Sequence, residues 1–416
     1  MTNITPFKID VPDAAIKKLK AKLELSDLPD EVDFSNDWDY GAPRDDILRL
    51  TKYWRDGYDW RAHEGRLNAD LPQFKTTIDV DGFGSLNVHF VHKKSPRPGS
   101  IPLLFCHGWP GHFAEVAKIL PLLTDANDGP SFHVVAPSLP NFGFSGGVRK
   151  KGFSIPQYAE ALHKVMLSLG YNKYEWRNQP PRQFANRANA VTQGGDWGCI
   201  ITRLIGVQYP SSCLASHVNF VHAQNPPGLS KSPVLYLQHK LTPYTDVEAA
   251  FLERTKWFQT EGFGYFVEQS TRPSTIGIAL ADPVALLAWV YEKLHDWTDN
   301  YPWTDDEILT WVSIYQFSTA GAAASVRIYY ESKHAELARV ERGFGYVPNV
   351  PLGLSYFPKD LILRPRTWGR ALGPVVFESV QADGGHFAAH ERPEALVADL
   401  KGMFEGGAKH VAQRFV

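Results

Sequence analysis

The chain has 416 residues, of which 44% are hydrophobic and 21% charged, and its formal net charge is −2. This near-neutral balance gives no electrostatic basis for binding nucleic acid or an anionic membrane surface. A chain of this length can bury a large core, and one large domain with additions is expected rather than three equal domains.

Cysteine usage and the apolar segments indicate a reducing, aqueous compartment. The three cysteines, Cys106, Cys199 and Cys213, are an odd number without metal-ligand spacing, so a disulfide framework is not expected. The start MTNITPFKIDVPD lacks a basic segment before an apolar run, which argues against a secretory signal. The most apolar segment, IGIALADPVALLAWVY, is interrupted by Asp282-Pro283 and is too short for a membrane span. We expect a soluble cytoplasmic protein.

Residues 1–75 differ in pattern from the rest of the chain. Helical spacing is evident at 14–23, after Pro12-Asp13, and again at 45–54. Between and after these helices lie loops rich in Trp and Asp, such as DWDYGAP and YDWRAHE, and little alternates like a strand. Residues 1–75 are therefore expected to form an N-terminal arm that wraps the main body.

From residue 76 strand-like runs alternate with helical ones. TTIDVD, SLNVHFVHK, IPLLFCHG, FHVVAPSLP, AVTQGG and LASHVNFV have strand character, whereas HFAEVAKILPLL and SIPQYAEALHKVMLSLG have helical spacing. Such alternation predicts an α/β fold with a mostly parallel central sheet. Strand signals are missing from 228 to 345 and return in VPLGLSYF and PVVFESVQA, before a last helix in RPEALVADLKGMF. We predict core parts at 76–227 and 346–416, with a helical lid at 228–345 over the carboxyl ends of the strands.

One segment interrupts this alternation. EWRNQPPRQFANRANA, residues 175–190, is polar and rich in Arg, and it is longer than the usual connection between a helix and a strand. Joining Tyr174 to Val191 would give a cleaner strand, YNKYVTQGG. We interpret residues 175–190 as an insertion before the strand, at the sheet edge opposite the catalytic mouth.

QGGDWGC, residues 193–199, has the pattern of a sharp turn between a strand and a helix, with Asp196 at its apex. Hydrolases with such an elbow usually place a serine there, and small neighbours permit the strained backbone. A carboxylate at the apex can attack an electrophilic sp³ carbon and form an alkyl ester. A helix N-cap is the competing interpretation of Asp196, and this motif alone favours neither.

HGWPG, residues 107–111, follows the apolar strand IPLLFC. Such a loop can offer a backbone N–H, here that of Trp109, to an oxyanion, and the N–H of Trp197 can be the second donor. A tight Gly-Pro turn without a catalytic role is the alternative.

GGHF, residues 384–387, follows the last predicted strand. With an elbow of this type the chain order is nucleophile, acid, histidine, so His386 is the candidate base. Asp360 follows a late strand and could orient His386, whereas Asp383 is nearer in sequence but lies where a turn role is expected. The other common position for the acid, after HVNFV, has Asn219 instead.

Together these motifs resemble an epoxide hydrolase of the α/β-hydrolase superfamily, in particular the microsomal-type group with an N-terminal arm, in a soluble, fungal-like form. PFKIDVP, WDYG and YDWRAHEGRLNADLPQFKT resemble the arm. HGWPG, SLPNFGFSGG, QGGDWG, STRPSTIGIAL, FPKDL and GGHFAAHERP resemble core and lid motifs in the family's order, so that the likeness covers nearly the whole chain.

The resemblance implies an α/β-hydrolase fold with a helical lid, and two lid tyrosines that donate hydrogen bonds to the epoxide oxygen. These correspond to Tyr265 and Tyr329; Tyr330 is the rival for the second, but the family's Tyr-x-Glu spacing selects Tyr329. Asp196 would open the epoxide, His386 with Asp360 would activate water to hydrolyse the ester, and a vicinal diol would leave. No metal or organic cofactor is implied.

The resemblance further implies a small epoxide as substrate, a detoxification role and a possible homodimer. The aromatic residues of the lid and arm favour an apolar or aryl-bearing epoxide, and we expect no membrane anchor. Haloalkane dehalogenase is the nearest alternative because it uses the same Asp–His–acid triad. HGWPG, however, has no Asn after its glycine to hold a halide. A non-catalytic relative that binds small apolar molecules is a further alternative, and an esterase fits less well because a carboxylate is a poor nucleophile for that reaction.

Overall fold

The computed structural model describes residues 3–125, 129–171, 190–335 and 337–405. Within these ranges nine strands form one sheet in the order β1-β2-β3-β5-β4-β6-β7-β8-β9. The strands are β1 (Thr5–Phe7), β2 (Gln73–Val80), β3 (Gly84–Lys93), β4 (Ile101–Cys106), β5 (Phe132–Pro137), β6 (Ala190–Gly194), β7 (Cys213–Val218), β8 (Leu352–Tyr356) and β9 (Val375–Val380). Read in this sheet order, neighbouring strands from β5 through β4 to β9 pair in parallel. The pairs β1–β2, β2–β3 and β3–β5 are antiparallel. The predicted mostly parallel sheet is confirmed.

Helices connect most of the strands, and several of them pack against the sheet. The α-helices in the described ranges are α1 (Asp13–Leu25), α2 (Arg44–Asp56), α3 (Trp60–Asp70), α4 (Ile119–Thr124), α5 (Ile155–Ser168), α6 (Asp196–Gln208), α7 (Pro233–Leu241), α8 (Asp246–Trp257), α9 (Gly264–Thr271), α10 (Pro273–Ala279), α11 (Pro283–Asp296), α12 (Asp305–Gln316), α13 (Arg327–His334), α14 (Leu337–Phe344), α15 (Arg366–Arg370), α16 (Ala388–Glu391) and α17 (Pro393–Met403). Every residue of the central strands β4 and β6 is buried, as expected for parallel strands that are covered on both faces.

The N-terminal arm contains more regular structure than its sequence indicates. Strand β1 pairs with β2, with Thr5 opposite Lys75, although no strand is predicted there. Helix α3 occupies part of a predicted loop: Asp59 caps it by accepting the N–H of Ala62 at 3.2 Å. Only Trp60 and Glu64 of α3 are buried, so this helix has no apolar stripe from which periodicity could reveal it.

The predicted helix in HFAEVAKILPLL is divided in two. A 3₁₀ turn at Phe113–Val116 comes first, capped reciprocally by His112 and Glu115, and α4 begins at Ile119. Pro121 explains the break, because proline has no N–H to donate and fits only the first turn of a helix. The capped turn directly follows the HGWPG loop and restricts its conformation.

Helices α7 to α14 lie in the chain between β7 and β8, and they reach the HGWPG loop. The indole Nε1 of Trp311 donates to the carbonyl of Pro110 at 2.6 Å, and the hydroxyl of Tyr315 donates to the carbonyl of Gly111 at 2.5 Å. The lid therefore packs against the loop at the carboxyl end of β4. The domain boundaries at 75, 227 and 345 stay a prediction.

Two further expectations concern the insertion and membrane spans. Residues 175–189 lie outside the described residues, whereas Ala190 is the first residue of β6 and pairs with Cys213. In the described part of the chain, no single helix has the length and hydropathy to cross a membrane. Helices α10 and α11 together meet that test, but they are bent by 111° at their junction.

Candidate active site

Asp196 sits at a strained turn between β6 and α6. Its φ is +48°, in a left-handed region that L-residues other than Asn and Asp rarely adopt. Close packing requires the glycines around it: a Cβ on Gly198 would lie 2.0 Å from the carbonyl oxygen of Cys106. Gly195, not Asp196, holds the N-cap position of α6. The helix-cap interpretation therefore does not fit, and the Asp196 side chain is free to face another loop.

The HGWPG loop supplies a donor to that side chain. The backbone N–H of Trp109 donates to Oδ1 of Asp196 at 2.7 Å. A Cβ on Gly108 would lie 2.1 Å from the same oxygen, so a glycine is needed for this approach. Trp197, the second residue of α6, lies in the first turn, where backbone N–H groups have no intrahelical acceptor. The Trp109 N–H thus contacts the Asp196 carboxylate, and the Trp197 N–H is the second predicted donor.

His386 contacts both carboxylates that the sequence singles out. Its Nε2 is 3.3 Å from Oδ2 of Asp196, and its Nδ1 is 2.6 Å from Oδ1 of Asp360. Asp360 is 1% exposed, and its Oδ1 also accepts the N–H of Leu361 at 2.7 Å. The rival acid Asp383 instead pairs with Arg392 at 2.8 Å, away from His386.

The electrostatics of His386 follow from this double contact. Burial disfavours the charged imidazolium, but the negative charges of Asp360 and Asp196 and their hydrogen bonds outweigh that effect. They raise the pKa of His386 to about 10. In the resting site His386 is therefore charged at neutral pH, and it supports the Asp196 anion.

Two tyrosines of the predicted lid line the same cavity as Asp196. Tyr265 on α9 and Tyr329 on α13 are buried, with ring centroids 5.8 Å apart and ring planes at 82°. Trp109 stacks on Tyr265 at 5.2 Å, and the Tyr329 hydroxyl finds no hydrogen-bond partner within the described ranges. Burial, followed by the nearby charge of Asp196, raises the pKa of the Tyr265 phenol well above its usual value.

Tyr330, the rival of Tyr329, is directed elsewhere. It is half-buried, and its ring stacks on His334 at a centroid distance of 4.0 Å. For Tyr329, burial and then its neighbour Tyr265 raise the phenol pKa well above the usual range. Both selected tyrosines are therefore protonated at neutral pH and can donate.

The tyrosines and Asp196 line a cavity of about 420 Å³, which we call the aromatic cavity. Its walls are mainly apolar and aromatic, and they include Trp197, Phe220, Phe258 and Phe266. Polar groups from the lid and from the segment after β7 complete the lining, namely His222, Gln224, Gln259, Lys333 and Glu341. A small apolar molecule with one polar reacting group fits this chemistry.

Sequence reasoning missed two residues that support His386. The carbonyl of Trp297 accepts the backbone N–H of His386 at 2.7 Å, and its ring centroid is 5.1 Å from the imidazole. The buried carboxylate of Glu391 accepts the N–H groups of Gly385 and Asp299 at 2.8 and 2.9 Å. Glu391 lies within the GGHFAAHERP motif and could have been singled out, whereas Trp297 carries no local signal. Over the described ranges, no group of three or more His, Cys, Asp or Glu side chains is arranged to hold a metal ion.

The sequence of the chain is similar to those of known epoxide hydrolases. A family model described as "Epoxide hydrolase N terminus" matches residues 4–116, and one described as "alpha/beta hydrolase fold" matches residues 101–174. Epoxide hydrolase 1 of Sus scrofa is 32% identical over 425 residues, which cover 96% of this chain and 88% of that protein.

Solved structures extend the likeness to the whole fold. Aspergillus niger epoxide hydrolase aligns with a TM-score of 0.80 and 32% identity, covering 100% of this chain and 97% of that one. Juvenile hormone epoxide hydrolase from the silkworm Bombyx mori aligns with a TM-score of 0.83 and 26% identity, covering 100% and 96%. These likenesses do not favour the haloalkane dehalogenase alternative.

Proposed function

This chain belongs to the epoxide hydrolase family and is an epoxide hydrolase of the α/β-hydrolase fold, and from that premise we propose that it forms vicinal diols through a covalent ester on Asp196. One observation carries the proposal. The carboxylate of Asp196 contacts His386 and the Trp109 N–H, and it lines the same cavity as the two lid tyrosines.

Ring opening uses the aromatic cavity. Oδ1 of Asp196 accepts the Trp109 N–H at 2.7 Å, whereas the contact of Oδ2 with Nε2 of His386 is longer, at 3.3 Å. Oδ2, the less tightly held oxygen, attacks an epoxide carbon and the carbon–oxygen bond of the ring breaks. Tyr265 and Tyr329 hydrogen-bond the ring oxygen, and one of them gives its proton to the developing alkoxide. Preorganised donors at a developing oxyanion are usually a large part of the catalytic effect.

Hydrolysis of the ester uses the other side of the site. Alkylation removes the negative charge of Asp196, which is part of what holds the pKa of His386 high. The imidazole can then release its proton to solvent, and it regains one from solvent when the Asp196 anion is restored after the diol leaves. In between, neutral His386 acts as a base, still oriented by Asp360. It takes a proton from water as the water oxygen bonds to Cγ of Asp196, while the N–H groups of Trp109 and Trp197 stabilise the oxyanion.

The tetrahedral species collapses by breaking the bond between Cγ and the alkyl oxygen. His386 returns its proton to that oxygen and the diol leaves. The second hydrogen of the water remains on the Asp196 carboxyl group and replaces the proton that the tyrosine gave up. The net reaction consumes one epoxide and one water, and it regenerates all side chains.

The aromatic walls of the cavity support an apolar or aryl-bearing epoxide as the substrate class. A detoxification role follows from such a substrate, because the diol is less electrophilic than the epoxide. The homodimer and the cytoplasmic location stay predictions from the sequence.

A single turnover in H₂¹⁸O tests the ester route. With enzyme in excess over styrene oxide, the first turnover should place ¹⁸O in the peptide that contains Asp196 and leave the diol unlabelled. Enzyme incubated in H₂¹⁸O without epoxide is the control. Label in the first-turnover diol would show direct attack of water on the epoxide and would overturn the proposal.

A further inference from the structure

A second, much smaller cavity lies against Asp196. Its volume is about 20 Å³, and its lining includes His386 and Gln193 as well as Asp196. The aromatic cavity shares Asp196 but neither of these other two residues, and the two lid tyrosines line the aromatic cavity alone. Asp196 thus separates an epoxide side, with the tyrosines, from a second side that has the base.

Gln193 lines the small cavity and has a buried polar atom without a hydrogen-bond partner in the described residues. The side chain is 1% exposed, and its Nε2 donates to Oδ1 of Asn219 at 2.6 Å. Its Oε1 is buried and has no hydrogen-bond partner in the part of the chain that the structure describes. Buried polar atoms of this kind are normally satisfied by protein or by ordered water. A water needs only about 10–15 Å³ of such space, so one molecule fits.

Glu115 provides a second polar group on the same cavity. Its Oε1 accepts the N–H of His112 at 3.0 Å, and a Cβ on Gly111 would lie 1.8 Å from that oxygen. The glycine therefore makes room for the carboxyl group to turn inward. Burial raises the pKa of Glu115 to about 8, so near pH 7 this carboxyl group is mainly protonated and can donate to a water.

We propose that the small cavity is the binding site of the hydrolytic water, with Gln193 and Glu115 as its ligands. The water binds next to His386, on the side of Asp196 opposite the epoxide. After alkylation its oxygen bonds to Cγ of Asp196 and one of its protons passes to Nε2 of His386. The inference rests on the roles proposed for Asp196 and His386, and it adds a separate binding site for water, the second substrate.

The variant Gln193→Met tests this site, because methionine is close to glutamine in length and removes both polar atoms. With styrene oxide in single-turnover experiments, hydrolysis of the alkyl-enzyme should slow about tenfold, the effect of losing one hydrogen bond to the reacting water. The alkylation rate should stay within about twofold, since the epoxide side is unchanged. Intact mass spectrometry follows both steps.

Thr192→Val is the matched control. Thr192 is buried in the same strand, and its Oγ1 donates to Oγ of Ser216 at 3.0 Å. Neighbouring side chains of a strand point to opposite faces, so this variant removes a buried hydrogen bond without altering the cavity. Both rates should remain within about twofold of the wild type.

Equal slowing of both steps in Gln193→Met, or no slowing of either, would overturn the proposal. If that variant does not fold, a crystal structure of the wild-type enzyme at better than about 2 Å resolution decides: a water within hydrogen-bond distance of Gln193 Oε1 is expected, and an empty cavity contradicts the site. Failure of the underlying mechanism is distinguishable, since in that case the wild-type enzyme would form no alkyl-enzyme at all.

Discussion

Oδ1 of Asp360 lies 2.6 Å from Nδ1 of His386 and also accepts the N–H of Leu361. This arrangement directs Nε2 of His386 toward Asp196. Replacing Asp360 by Asn should therefore leave alkylation nearly intact and slow ester hydrolysis by about 10³–10⁴-fold, because an amide stabilises the wrong imidazole tautomer. Rapid-quench kinetics with mass detection of the ester measures both steps.

Asp383→Asn is the control for that experiment. Asp383 is the acid nearest to His386 in sequence, but it pairs with Arg392. Its replacement should change neither step by more than about twofold. If Asp383→Asn slowed hydrolysis and Asp360→Asn did not, the assignment of the acid would be reversed.

Removal of either lid hydroxyl should slow ring opening. Tyr265→Phe and Tyr329→Phe each delete one donor and keep the ring packing, and the loss in kcat/KM should be on the order of a hundredfold. Tyr330→Phe is the matched control, since Tyr330 stacks on His334 and should be dispensable. Single variants of Tyr265 and Tyr329 that retain wild-type kcat/KM would rule out the proposed acid roles.

The raised pKa of His386 makes part of the stability depend on pH. Because its folded pKa of about 10 is above the ordinary value of 6.5, its stabilising contribution is complete below about pH 6.5 and disappears as the pH rises through about 10. The change is at most about 1.4 kcal/mol per pH unit. The Tm of the wild type should therefore fall relative to that of His386→Gln between pH 7 and 10. A constant difference between the two proteins would mean that His386 is not charged in the folded state.

Deletion of residues 175–189 should improve soluble yield without changing kcat. Ala190 begins β6, and Gly194 at its other end leads to Asp196, the proposed nucleophile. The junction is therefore about 13 Å from the elbow at 3.3 Å per residue. Measurements of kcat per folded enzyme, with and without the segment, check this. A large rise in kcat at equal folded fraction would show that the segment acts on the chemistry.

The residues of the predicted triad could be found from sequence because each follows a strand at the same edge of a parallel sheet. Asp196 follows β6, Asp360 follows β8 and His386 follows β9, and chain order then distinguishes their roles. The elbow glycines add a local constraint that few other turns share.

Other features depend on contacts that local patterns do not encode. Choosing Tyr329 over Tyr330 required the family spacing, because both are aromatic residues on one short helix. Trp297 meets His386 across about ninety positions of sequence. Helix α3 is specified by the Asp59 cap and by contacts such as the Val11 N–H donated to Glu64, not by an apolar stripe.

The covalent role of Asp196 is tested most directly by the intact mass of His386→Gln after exposure to styrene oxide. Loss of the base should leave alkylation possible and block hydrolysis, so the variant should gain the mass of one whole epoxide. The gain should be absent when Asp196 is also changed to Ala. A folded His386→Gln sample that gains no mass, or an adduct that persists without Asp196, would contradict the covalent mechanism.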